Sequence, residues 1–266
     1  MRYLDAALLG IVQGLTEFLP ISSTAHLLLG GRVLGFDDPG GVFTVMIQFG
    51  SILALMWLYR AKIGEVLRGL SSSPAARRFA LMILVAFIPA VVAGLFLADF
   101  VKGELYHSPG VIAGAFIAGG IAILLIERLR PAPVVFDAAE TPLPRAFAVG
   151  VCQVLALVPG VSRSGATIMG GMLLRLDRAA AAEFSFFLAM PSLAGAFIHD
   201  LWEVRDHLGF ERAAEIAVGF GMAFLAALVV VKPFLRYVTR AGFAPFAWYR
   251  IALGAVMLAA MGVGWL

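Results

Sequence analysis

Gly10-Ile11-Val12-Gln13-Gly14-Leu15-Thr16-Glu17-Phe18-Leu19-Pro20-Ile21-Ser22-Ser23-Thr24-Ala25-His26 decides how this chain is read. It lies inside an apolar stretch, 4–34, and interrupts it with Pro, Ser and Thr. A second apolar stretch, 146–176, is interrupted in the same way by Pro159-Gly160-Val161-Ser162-Arg163-Ser164-Gly165. Each half is ~15 residues, or ~22 Å of helix at 1.5 Å per residue. The hydrocarbon core of a bilayer is ~30 Å thick. The pattern therefore predicts two re-entrant hairpins, each a helix, a break and a returning helix. Such a break is tolerated at membrane depth only where protein or water satisfies its backbone.

Working outward, six unbroken apolar runs fall at about 42–59, 79–101, 110–126, 183–199, 214–231 and 246–266. They lack the alternation of barrel strands and are predicted to be spanning helices. Composition agrees. Apolar residues are 61% of the 266, charged residues only 14%, and mean hydropathy is +0.95. A soluble globule of that composition would expose large apolar patches, which excludes an ordinary cytosolic enzyme and a disordered chain. The single cysteine, Cys152, excludes a disulfide scaffold or a multi-cysteine zinc site. The net charge of +3 resides between apolar runs, so it speaks for membrane orientation and not for nucleic acid. Reading 4–20 as a cleaved signal peptide is disfavoured by Asp5, Gln13 and Glu17 within it and by the lack of a prompt small-residue cleavage site.

The connections alternate in charge. Arg60, Lys62, Arg68, Arg77 and Arg78 face one Glu65 in 60–78, whereas 99–109 has Lys102 as its one basic residue. Arg128, Arg130 and Arg145 mark 127–145. Asp200, Glu203, Asp206 and Glu211 outnumber two Arg in 200–213, and Lys232, Arg236 and Arg240 mark 232–245. Basic loops inside leave both chain ends outside, against the votes of Arg2 and Arg32. The broken segments then enter from opposite sides, each followed by three spans. The expected fold is all-α and integral to the membrane: six transmembrane helices plus two re-entrant hairpins in an inverted-topology repeat. It forms one polytopic domain, 1–266, with pseudo-repeats at about 1–130 and 140–266. Gly10, Gln13 and Ser22-Ser23-Thr24 match Gly150, Gln153 and Ser162-Arg163-Ser164 at a constant spacing of 140 residues. Phe43-Thr44 and Ser51 match Phe184-Ser185 and Ser192 at a spacing of 141.

The two returning helices present their N-termini near the membrane middle, where free N–H groups and the helix dipole attract anions. Arg163 adds a full charge and a fork suited to phosphate. Its placement there costs ~2.5–3.5 kcal/mol on insertion scales. Ser162, Ser164 and Thr167 offer hydroxyls, and capping accounts for at least part of their role. Gln13 and Glu17 share a helical face. A carboxylate at Glu17 can hold a divalent cation, act as a base, or pair with Arg163. Ser23 and His26 share a face too, a nucleophile-and-base spacing. His107, His199 and His207 fall at or near the outer loops. A metal-capable acid, a phosphate-binding Arg, hydroxyls and an imidazole at this depth suit phosphoryl transfer on a lipid with a phosphate head.

These residues carry a resemblance. Gln13 to His26, and Pro159-Gly160-Val161-Ser162-Arg163-Ser164-Gly165-Ala166-Thr167, resemble the two signatures of the bacterial undecaprenyl-pyrophosphate phosphatase (bacitracin-resistance) family. The tracts Glu183 to Pro191 and Ile47-Gln48-Phe49-Gly50-Ser51 resemble it as well. The resemblance covers nearly the whole chain. It implies hydrolysis of undecaprenyl pyrophosphate to undecaprenyl phosphate and inorganic phosphate, which recycles the lipid carrier for cell-wall synthesis and confers bacitracin resistance. It also implies a place in the bacterial cytoplasmic (inner) membrane with periplasmic termini, and dependence on Mg²⁺ or another divalent cation such as Ca²⁺, with Glu17 as ligand. The family's catalytic positions fall on Glu17, Ser23, His26 and Arg163, and Gln13 stands where many members have a second Glu. Gln13, Ser22, Thr24, Ser162, Ser164 and Thr167 are the expected pyrophosphate contacts. The sequence leaves the oligomeric state open, a homodimer included. The rival class is a transporter or flippase of a polyprenyl phosphate. The type-2 phosphatidic-acid phosphatase pattern fails, since Met169 stands where its His would follow Ser162-Arg163.

Overall fold

Both interrupted stretches fold as two short helices separated by an irregular turn. A computed structural model of the chain describes residues 2–38, 41–105, 108–204 and 212–264. In chain order its α-helices are α1 (Arg2–Thr16), α2 (Ser23–Leu34), α3 (Val42–Leu58), α4 (Arg60–Gly69), α5 (Pro74–Phe100), α6 (Pro109–Leu129), α7 (Leu143–Val154), α8 (Arg163–Leu173), α9 (Arg178–Val204), α10 (Ala213–Ala241) and α11 (Ala244–Gly262). The loop residues Asp206, Glu211, His107 and His207 lie outside the described residues.

Five helices are long and apolar enough to cross a membrane: Pro74–Leu97, Pro109–Leu129, Arg178–Glu203, Ala213–Ala241 and Ala244–Gly262. The sixth apolar run becomes α3. It bends by 71° into α4, so it makes a sixth span only if that bent pair is one. Several helices outrun the apolar window that announced them. α10 continues to Ala241 through Lys232, Arg236 and Arg240, because backbone hydrogen bonding does not stop where side chains turn polar. Pro89, Pro191 and Pro233 sit inside helices, as membrane helices tolerate when neighbours re-satisfy the freed carbonyl. Large apolar side chains face outward: Leu84, Leu95 and Phe96 on α5 and Val229 on α10 are all more than half exposed. In water such a surface would aggregate; in lipid it is the outer wall.

Small residues set the helix crossings. A Cβ on Gly10 would stand 2.2 Å from the carbonyl oxygen of Gly219, so α1 lies directly on the backbone of α10. A Cβ on Gly150 would stand 2.1 Å from the oxygen of Ala86, so α7 meets α5 in the same manner. α6 and α11 cross through Gly120 against Ala247 and Gly254 against Ala113. Close backbone approach gives the dispersion contact that drives helix association in lipid, where no hydrophobic force operates between helices. The core gathers where the two breaks converge. Phe18, Ile168, Phe184 and Phe186 are buried in one cluster, with Phe18 and Phe186 edge to face at 5.6 Å.

Candidate active site

Thr16 ends α1, and the chain turns through Glu17 to Ser22 before α2 begins. Pro20 cannot continue a helix, and Ser22 takes φ 67°, a left-handed value rare outside Gly and Asn. Such a conformation costs ~1–3 kcal/mol and is held by its surroundings. The second break turns at Gly160, φ 89°. Ser162 then caps α8, its Oγ accepting from the Gly165 N–H at 3.1 Å. Ser162 also donates to the carbonyl of Leu19 at 3.2 Å, and Ser164 does so at 2.7 Å. The hydroxyls of the second break thus grip the backbone of the first.

That grip brings Glu17 and Arg163 together. Glu17 is 5% exposed. One of its carboxylate oxygens faces Nη2 of Arg163 at 3.3 Å. The other accepts from Gln13 Nε2 at 2.9 Å and from Ser23 Oγ at 2.7 Å. Arg163 opens α8, so its charge lies on the helix N-terminus. Its Nη1 donates to the Ser185 carbonyl at 3.1 Å. Its Nε–H is buried and has no partner among the described residues, which leaves a donor for a ligand oxygen. Thr167 donates to the Arg163 carbonyl and pairs with the Ser185 hydroxyl at 2.7 Å.

Of the residues expected from sequence, Gln13, Glu17, Ser23 and Arg163 form one hydrogen-bonded cluster spanning both breaks. Ser162, Ser164 and Thr167, expected to donate to phosphate, are buried and engaged with protein groups. Ser22 offers its carbonyl, not its hydroxyl, to a neighbour: His26 Nδ1 donates to it at 2.8 Å. Thr24 is half-buried on the first turn of α2. The expected hydroxyl–imidazole pair is replaced. Ser23 donates to Glu17, while Nε2 of His26 faces the Tyr249 hydroxyl at 2.5 Å with the two rings stacked. Ser23 and His26 both lie on the first turn of α2, but the Ser23 hydroxyl is taken by Glu17 and the His26 ring by Tyr249.

Sequence reading missed Ser185, Tyr249 and Arg250. Ser185 lies within the tract Glu183 to Pro191 that carries the resemblance, but was given no role there. Arg250 had a visible signal, a charge inside the apolar run 246–266. The residue is 2% exposed, and its guanidinium reaches carbonyls of both breaks.

The donor set at the breaks is one carboxylate and one amide. Mg²⁺ binds through one or two carboxylates and completes its shell with phosphate oxygens and water, so these residues fit such an ion alongside a phosphate-bearing ligand. Among the described residues, the closest grouping of three His, Asp or Glu side chains is elsewhere: His199, Asp200 and Glu203 at the exposed end of α9.

Residues 6–256 match the family described as Bacitracin resistance protein BacA. The chain is 51% identical over 262 residues to an undecaprenyl-diphosphatase of Cereibacter sphaeroides (strain ATCC 17029), covering 98% of each. It is 48% identical over 260 residues to one of Paracoccus denitrificans, covering 98% of this chain and 97% of that protein. It is 49% identical to undecaprenyl-diphosphatase 1 of Agrobacterium fabrum, covering 97% and 96%.

Proposed function

The chain belongs to the bacitracin resistance protein family, and from that membership we propose that it is a membrane undecaprenyl-diphosphatase. It hydrolyses undecaprenyl pyrophosphate to undecaprenyl phosphate and inorganic phosphate. The product is the lipid carrier that cell-wall synthesis reuses, and its turnover removes the target of bacitracin.

One observation carries the mechanism. The Ser23 hydroxyl donates to Glu17 at 2.7 Å while the same carboxylate faces Arg163 at 3.3 Å. Arg163, through its free Nε–H and the α8 N-terminus, binds oxygens of the terminal phosphoryl group. Glu17 takes the Ser23 proton as Oγ attacks the terminal phosphorus. The Ser23 O–P bond forms, the bridging P–O bond breaks, and undecaprenyl phosphate leaves. Water then attacks the phosphoserine, the Ser23 O–P bond breaks to release inorganic phosphate, and Glu17 returns its proton to the Ser23 oxygen. His26, its Nδ1–H fixed by the Ser22 carbonyl, has Nε2 available to take that water's proton once Tyr249 yields. Glu17 and the amide oxygen of Gln13 are the groups that would hold Mg²⁺ or Ca²⁺. A bound divalent cation would neutralise phosphate charge as the leaving group departs. Ser162, Ser164 and Thr167 serve by holding the two breaks in register.

The fold is read as an inverted-topology repeat with α1–α2 and α7–α8 as re-entrant hairpins. The brevity of these helices, 15, 12, 12 and 11 residues, supports that. So do the paired crossings of α1 on α10 and α7 on α5. The loop charges support a cytoplasmic (inner) membrane placement with both termini periplasmic.

The test is phosphate release from long-chain polyprenyl diphosphate by purified protein in detergent, with and without chelator. Release that falls with chelator and returns with Mg²⁺ is expected. A pure flippase has no second compartment in detergent and would release none; undiminished release in chelator would remove the metal.

A further inference from the structure

Among the described residues Arg250 is the largest fully buried side chain, at 2% exposure in an otherwise apolar helix. A buried cation is costly unless its donors are met. Here carbonyls meet them, not an acid. Nη1 donates to Pro20 O at 3.0 Å, Nη2 to Gly160 O at 3.0 Å and to Ala115 O at 2.9 Å, and Nε to Phe116 O at 3.4 Å. The guanidinium carbon stands 5.1 Å from the centre of the Phe116 ring.

Two of these carbonyls belong to the turning points of the two breaks. Pro20 follows Glu17 by three residues, and Gly160 precedes Arg163 by three. A planar fork with donors in fixed directions can hold both at once; a lysine ammonium, with its donors at one point, cannot. Gly119 leaves the room required, since a Cβ there would stand 2.2 Å from Nη2. The neighbouring residue on α11, Tyr249, meets His26. α11 therefore touches the site through two consecutive side chains.

We propose that Arg250 is a positioning residue that ties the two chain breaks to each other through Pro20 O and Gly160 O, and so sets the Glu17–Arg163 separation. This rests on reading the breaks as the phosphatase site.

The geometry offers a readout independent of turnover. A Cβ on Gly165 would stand 3.5 Å from the Cβ of Pro20, near the ~3.5–4.5 Å spacing of a disulfide. In a C152S background, the pair P20C and G165C should oxidise readily, scored by loss of maleimide-reactive thiols. Adding R250Q should slow that oxidation about tenfold. Without the cysteine pair, R250Q should cut kcat on polyprenyl diphosphate about 100-fold, as a ~1 Å misplacement can. KM should move less than about threefold, because the lipid tail and Arg163 still bind. R250K should behave like R250Q. G119A keeps the charge but displaces the guanidinium, and it should shift both readouts in the same direction. Unchanged oxidation, kcat near the parent's, or full rescue by Lys would each overturn the proposal. If none of the three variants gives monodisperse protein, Arg250 is a folding determinant and the assignment also falls. If the parent itself releases no phosphate, the function fails, yet the oxidation arm still decides on Arg250.

Discussion

The two breaks share a frame but not a chemistry. Aligned on Gln13 and Gln153, the position of Glu17 is Leu157 in the second segment, that of His26 is Ala166, and that of Ser23 is Arg163 itself. The first break carries the acid, the hydroxyl and the imidazole. The second carries the cation, and its remaining polar groups turn inward onto Leu19, Ser185 and each other. One copy of the motif is reactive and strained at Ser22; the other is a rigid platform capped by Ser162. The difference teaches why the site needs both halves. An attacking oxygen and its base can sit on a single turn. A phosphate anchor has to come from the opposite side to hold the phosphorus in line.

The sharpest way to break this comparison is at Ser23. S23A should lower kcat by about 10⁴-fold or more, as loss of a nucleophile does elsewhere, while equilibrium binding of the diphosphate lipid stays within about threefold. E17Q should lose about 10²–10⁴-fold as the loss of a general base. Activity near the parent's in S23A would pass the attack to water and leave the first break as a mere binding turn.

A second test strikes the link between the halves. Removing one partner of a buried ion pair leaves the other uncompensated, at a cost of ~3–5 kcal/mol, more than replacing both. R163M should therefore lower the thermal midpoint more than the E17Q/R163M double variant. It should also raise KM, unlike S23A. If the double variant is the less stable of the two, with the effects simply additive, Glu17 and Arg163 are not a coupled pair.

Much of this was legible beforehand, and the exceptions have physical causes. Long apolar runs report burial in lipid directly, so five spans and both breaks appeared from composition and Pro–Ser punctuation. The bend between α3 and α4 did not, because nothing at Tyr59 interrupts the helical pattern; the turn comes from packing. Glu17 and Arg163 stood out since a charge at membrane depth is costly wherever it lies. Their contact across the breaks was foreseeable only as one of three options. The turn of Ser23 away from His26 was hidden, because helix spacing gives a shared face and not the distant partners, Glu17 and Tyr249, that each side chain takes. Arg250 was visible as a charge in an apolar run, yet its partners are main-chain oxygens of the two distant breaks and of α6, which carry no sequence signature.

The mildest contrast is also the cleanest, since it sets two identical residues against each other. Gln13 donates to the charged Glu17 at 2.9 Å. Gln153, its match in the second segment, exchanges hydrogen bonds with Ser192 at 3.1 and 3.4 Å. A bond to a charged group contributes ~1.5–3 kcal/mol against ~1 kcal/mol for a neutral pair. Q13A should thus lower kcat/KM about 10–100-fold by loosening the carboxylate. Q153A should lower stability by ~1 kcal/mol and leave kcat/KM within about threefold. Ser51, the match of Ser192, is buried with a hydroxyl that has no partner among the described residues, which is what a Gln13 committed to Glu17 would leave behind. Equal losses in Q13A and Q153A would mean that the two segments contribute alike, and the division of labour drawn from Glu17 and Leu157 would fail.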